Sequence, residues 1–120
     1  MATFPCIIDN ISDDVVAENK SHSVGTVSTF EEAVSKTLDA GVWIVNGYAT
    51  TTTNSTSNRI IISINSDGAN YAMSMSSLSA GGYASTTTVI KLTQSTKVSV
   101  RSNVDVSTTV NANMRCYKLK

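Results

Sequence analysis

The stretch Leu38-Asp39-Ala40-Gly41-Val42-Trp43-Ile44-Val45-Asn46-Gly47-Tyr48 constrains the fold more than any other part of the chain. A turn signal leads into consecutive apolar residues. Side chains of a strand point to opposite faces in turn, so Trp43 and Val45 face one way and Val42 and Ile44 the other. A sheet with one wet face would alternate polar and apolar residues here. This segment does not, so both of its faces need cover. A chain of 120 residues builds one domain with one core. The second apolar face is most simply covered by another copy of the chain.

Composition narrows the class further. Hydrophobic residues make up 41% and charged residues 15%, with a formal net charge of zero. Lys and Arg are scattered singly, which gives nucleic acid no basic stripe to follow. Polarity comes from Ser and Thr, nearly three residues in ten. Thr suits exposed strand positions because its β-branched side chain fits a pleated surface. No apolar run approaches the roughly 18 residues of a membrane-spanning helix. The first residues, Met1 to Asp9, lack the basic start and apolar stretch of a secretory signal. Cys6 and Cys116 lie near opposite ends and lack the number and spacing of a metal site. We expect two reduced thiols in a chain made in a reducing compartment; the alternative is a disulfide, if the first and last strands are neighbours.

Along the chain, strand signals come at short intervals. Pro5 limits residues 3–8 to a strand start or an edge. Residues 10–19 are mixed and acidic, and read as an irregular arm or one helical turn. Residues 22–29 read as an early strand. In the next segment, Thr29 and Glu32 have the spacing of a capping box, and Phe30, Ala33, Val34 and Leu38 fit a helix. Val34 to Leu38 also alternates, and a strand is favoured there. Further strands are expected at 41–50, 59–64, 71–75, 83–92, 97–101 with Val104 and Val106 beyond, and 113–120. The turn between the strands at 59–64 and 71–75 carries Asp67-Gly68. Seven to nine short strands (roughly) suit a sandwich or barrel. We therefore divide the chain into an N-terminal docking arm, residues 1–20, and a knob, residues 21–120. Phe4, Ile7 and Ile8 are the apolar docking residues of that arm, and the rival expectation is that they form a first strand.

Three segments resemble the trimeric jelly-roll knobs related to the C1q and tumour-necrosis-factor heads, in particular those of bacteriophage fibre tips and capsids. They are Thr37 to Val45, with its leucine, turn, glycine and aromatic start of a strand; Val89 to Val100, similar to a penultimate hairpin; and Asn113 to Lys120, similar to a closing strand. The resemblance covers roughly residues 22–120. Low aromatic content and the lack of a collagen-like stalk set the chain apart from the animal proteins. The resemblance implies an all-β antiparallel jelly-roll sandwich that forms a homotrimer. Val42, Trp43, Ile44, Val45, Tyr117 and Leu119 would then serve the core or the trimer interface.

Catalytic chemistry is not expected. A triad needs nucleophile, base and orienter in contact, and the single histidine, His22, reads as a surface or loop residue. Asp9, Asp13 and Asp14 lack the spacing of a calcium loop and read as solvated acids. No cofactor or metal site is expected. Asn10-Ile11-Ser12 and Asn54-Ser55-Thr56 match glycosylation acceptors, which carry no meaning without secretion. Trp43, Tyr48, Tyr71 and Tyr83 are the aromatic residues considered for sugar stacking. Trp43 reads as packing, and Tyr83, beside Gly81-Gly82, is the candidate receptor contact. The functional expectation is a bacteriophage virion protein, located in the virion, that decorates the capsid or forms a head-fibre or fibre-tip knob. Its partners are its own copies and other virion proteins, with no nucleic acid and no membrane insertion. The alternatives are a tail-fibre adhesin recognising a host surface glycan, and a non-viral β-sandwich binding module.

Overall fold

A computed structural model describes residues 11–24, 28–51, 59–66, 68–77 and 83–119. The described residues form eight strands: β1 (Ile11–Ser23), β2 (Glu31–Leu38), β3 (Gly41–Thr51), β4 (Arg59–Ser66), β5 (Ala69–Ser77), β6 (Tyr83–Leu92), β7 (Thr96–Val104) and β8 (Thr109–Leu119). Two four-stranded sheets result, in the orders β1-β8-β3-β6 and β2-β7-β4-β5. β1 pairs with β8, β2 with β7, β3 with β6 and β4 with β5, all antiparallel. These nested pairs are those of one long hairpin folded over on itself, and β3–β8 and β4–β7 contacts complete the sheets. This is the jelly-roll arrangement expected above. The tip of the long hairpin lies between β4 and β5, where Gly68 takes a φ of 81°. Glycine adopts that conformation without the steric penalty of a side chain.

The core lies between the sheets. Trp43, Val45, Ile90, Met114 and Cys116 come from one sheet, and Val34, Leu38, Ile62, Ile64, Val98 and Val100 from the other; all are buried. Trp43 packs here as expected, and its indole N–H donates to the Asp39 carbonyl at 2.9 Å. The sheets approach closely at Gly47, where an added Cβ would stand 2.9 Å from a Val100 methyl carbon.

Three expectations need correction, while the favoured strand at Val34–Leu38 is present within β2. Residues 11–20, read as part of an arm, belong to β1, so the boundary expected at residue 20 falls inside a strand. An edge strand tolerates charged residues that a central strand would not, and those charges concealed it in the sequence. The early strand expected at 22–29 ends at Ser23, and Ser28 has a φ of 59°. The helical spacing of Phe30, Ala33, Val34 and Leu38 comes from a bulge: the β2–β7 register shifts between Glu32 and Val34, and Ala33 and Val34 are both buried. One extra residue in a strand imitates an i, i+3, i+4 pattern. β8 also begins earlier than the expected residue 113, at Thr109.

Phe4, Ile7, Ile8, Cys6, Asp9 and Asp67 lie outside the described residues.

Candidate functional site

The two outer faces of the sandwich differ. On β2-β7-β4-β5 the outer surface is largely polar. Lys97 binds Glu32 at 2.8 Å, Ser35 donates to Glu32, and Arg101 donates to the Phe30 carbonyl at 3.2 Å. Ser63, Asn65 and Ser99 of the same sheet are buried. Apolar surface on this sheet lies at the β4–β5 edge, where Tyr71 and Met73 are exposed and half-buried Ile61 shares their face.

The outer face of β1-β8-β3-β6 has an apolar end and a polar, aromatic end. At the apolar end, Val89, Ile44 and Tyr117 form a row across β6, β3 and β8, and Val15 of β1 is paired in register with Tyr117. Val89 is 58% exposed, while Ile44 and Tyr117 are half-buried. Val42 and Leu119, also half-buried, extend the patch by one step. Among the sequence-selected interface residues, Val42, Ile44, Tyr117 and Leu119 therefore share this outer face, and Trp43 and Val45 lie in the core. Lys118 places its ammonium 5.7 Å from the centre of the Trp43 ring, closing the core at this end.

The middle of the face is polar. Asn46 donates to the Thr87 hydroxyl at 2.8 Å, and Arg115 stands opposite Asn46 on β8. Beyond it lies the second end. Tyr48 pairs with Asn113 and Ser85, and Thr50 with Asn111 and Tyr83. Tyr48 and Tyr83 are therefore diagonal neighbours, close enough for long side chains to meet. Their ring centroids are 5.4 Å apart at 47°. Tyr83, expected in a loop context, is the first residue of β6 and is exposed. Its partner Tyr48 was not selected as a contact, although it shares parity with Val42 and Ile44. A shallow concavity of about 340 Å³ lies beside Tyr48, lined also by Lys20, Ser21, Thr50, Asn111 and Asn113. The Ser21 hydroxyl donates to Asn111 Oδ1 at 2.7 Å. Sequence reasoning missed these asparagines because only the register brings β1, β8 and β3 together here.

His22 is not the surface or loop residue expected. It sits half-buried in β1, with Nε2 3.7 Å from Glu31 across the sandwich edge. Cys116 is buried, and burial pushes its thiol up to about 11. Asp13 and Asp14 fall within β1. Among the described residues no group of three or more His, Cys, Asp or Glu side chains is placed to hold a metal, and no helix is long and apolar enough to cross a membrane.

No protein-family profile and no curated sequence matches the chain. Solved structures do. The globular domain of zebrafish complement 1qA protein aligns with a TM-score of 0.62 at 12% identity, over 88% of this chain and 97% of that one. The infectious bursal disease virus VP2 subviral particle gives 0.57 at 12% identity, over 88% of this chain and 32% of the viral chain. Bacillus endospore appendages, described as disulfide-linked pili, give 0.51 at 12% identity, over 99% and 100%. At such identities the likeness is one of fold: this chain is a two-sheet antiparallel sandwich like the C1q globular domain.

Proposed function

We propose that the chain is a self-assembling virion protein of a bacteriophage, a jelly-roll knob that forms homotrimers and decorates the capsid or caps a fibre. The observation that carries this reading is the apolar end of one outer face. Val89, exposed, and Val42, Ile44, Tyr117 and Leu119, half-buried, are placed together there across three strands, while apolar surface on the other sheet is confined to its β4–β5 edge. A contiguous exposed apolar patch is characteristic of a protein–protein contact. The solved structures of similar fold include a viral particle and a pilus, both built from repeated copies. Their likeness is compatible with this role and does not specify a phage.

The role is mechanical rather than catalytic. Residues preceding β1, with Phe4, Ile7 and Ile8, serve as the element that docks on the particle. Light scattering of the purified 12.7 kDa chain tests assembly: a mass of three chains is expected, and a clean monomer overturns the trimer. Electron microscopy of particles carrying a C-terminal label tests location. Label on the head or fibre supports the virion role, and unlabelled particles favour a non-viral binding module. The adhesin alternative draws support from the exposed Tyr48–Tyr83 pair.

A further inference from the structure

We propose that the polar end of the β1-β8-β3-β6 outer face is a binding site for a neutral sugar residue at the end of a glycan. The proposal goes beyond the assembly reading and stands on one chain alone. Its first support is shape. The concavity of about 340 Å³ lies near the lower end of the roughly 300–1,000 Å³ of small-molecule pockets, which suits a terminal residue better than a long polymer.

Chemistry identifies the ligand class. Tyr48 is 39% exposed and Tyr83 55% exposed, although their rings are in contact. Tyrosine presents an apolar body and a polar tip, and the C–H face of a pyranose matches the former while its hydroxyls match the latter. Tyr83 reaches the concavity only through the Tyr48 ring; beside Tyr48, the wall carries uncharged groups that both donate and accept: Ser21, Thr50, Asn111 and Asn113. Ser21 occupies Asn111 Oδ1, which orients that amide and leaves its Nδ2 as a donor. These wall residues lie within strands, so the wall is formed before a ligand arrives. Lys20 lies on the rim, and every other lining side chain is uncharged, so most of the wall is matched to neutral hydroxyls. The site and the apolar patch are separable. Ile44 and Thr50 are six residues apart on β3, about 20 Å at strand rise.

The test is an amide-shift titration of the full chain by NMR, with methyl glucoside, methyl galactoside, methyl mannoside and N-acetylglucosamine as probes and sialyllactose as the acidic comparator. Saturable shifts at Tyr48, Thr50, Asn111 and Asn113 with at least one neutral sugar are expected. Tyr48→Ala and Asn111→Ala should each weaken that binding about tenfold or more, the order of cost of losing a stacked ring or leaving a polar partner unpaired. Tyr48→Phe keeps the ring and should retain most of the binding, which separates loss of the site from loss of the fold. Absence of saturable shifts with every neutral sugar, shifts with sialyllactose alone, or shifts confined to other residues would overturn the site. Light scattering of the same samples reports assembly independently. A monomer that binds sugar sinks only the trimer, and a trimer that binds none sinks only this site.

Discussion

Trp43 does two things at once. Its ring fills the core and its N–H satisfies the Asp39 carbonyl in the turn before β3. Trp43→Ala should cost about 3–5 kcal/mol, read from the shift in urea midpoint; a negligible shift would contradict its placement. Gly47 is constrained from the opposite sheet. An alanine there would press on the branched Val100 side chain at 2.9 Å, and overpacking of this kind costs about 1–3 kcal/mol. Cys116 should stay silent to thiol reagents in the native state and react on unfolding, because burial raises its pKa to about 11 and the thiolate is the reactive form. Glu32 shows how little an exposed pair contributes. The hydrogen bond from Lys97, helped by that residue's charge and opposed by burial, holds its carboxyl below 4.5. A pKa lowered by folding adds stability above the unfolded value and loses it as pH falls through the folded value. With both side chains largely exposed, the term is about 0.5 kcal/mol or less. Glu32→Gln should therefore barely alter the urea midpoint at neutral pH and slightly flatten its fall below pH 4.5.

At the scale of elements, β1 covers an edge that β8 would otherwise present to solvent. Ten residue pairs join the two strands, from Ile11↔Leu119 to Ser23↔Thr109. Deleting residues 1–19 removes six of those pairs and leaves a long unpaired strand edge beside buried Met114 and Cys116. Unpaired edges recruit other chains. The truncated protein should melt at a markedly lower temperature or aggregate, as calorimetry and light scattering would show. Unchanged melting would restore the reading of these residues as an arm separate from the sandwich.

For the whole molecule, the difference between the two outer faces matters most. Each sheet buries one face in a shared core; the β1-β8-β3-β6 sheet carries an apolar row across three strands on its other face, and the other sheet has Tyr71, Met73 and Ile61 at its β4–β5 edge. Val89→Lys changes a side chain that is 58% exposed, so the fold should survive. In a trimer closed through this patch, each copy would bury an unpaired charge, at a cost that single interface positions rarely exceed. The expected outcome is a folded monomer, with unchanged circular dichroism and about a third of the wild-type mass by light scattering. A Val89→Lys trimer would show that the contact lies elsewhere, with the exposed Tyr71 and Met73 edge as the next surface to test.

The all-β class, most strand positions and the two-faced character of β3 were legible in the sequence, because alternation and turn residues act over a few neighbours. Val42 and Ile44 could be separated from Trp43 and Val45 by parity alone. Local rules failed where a long-range partner decides the outcome. β1 is a strand because β8 supplies its hydrogen bonds, despite an acidic sequence that local pattern reads as an arm. β2 looks helical because a bulge against β7 buries Ala33 and Val34 together. The Tyr48–Tyr83 pair and the asparagines beside it came only with the tertiary structure. Their spacing across β1, β8, β3 and β6 is set by strand order and register, and those follow from how the whole core closes rather than from any short segment.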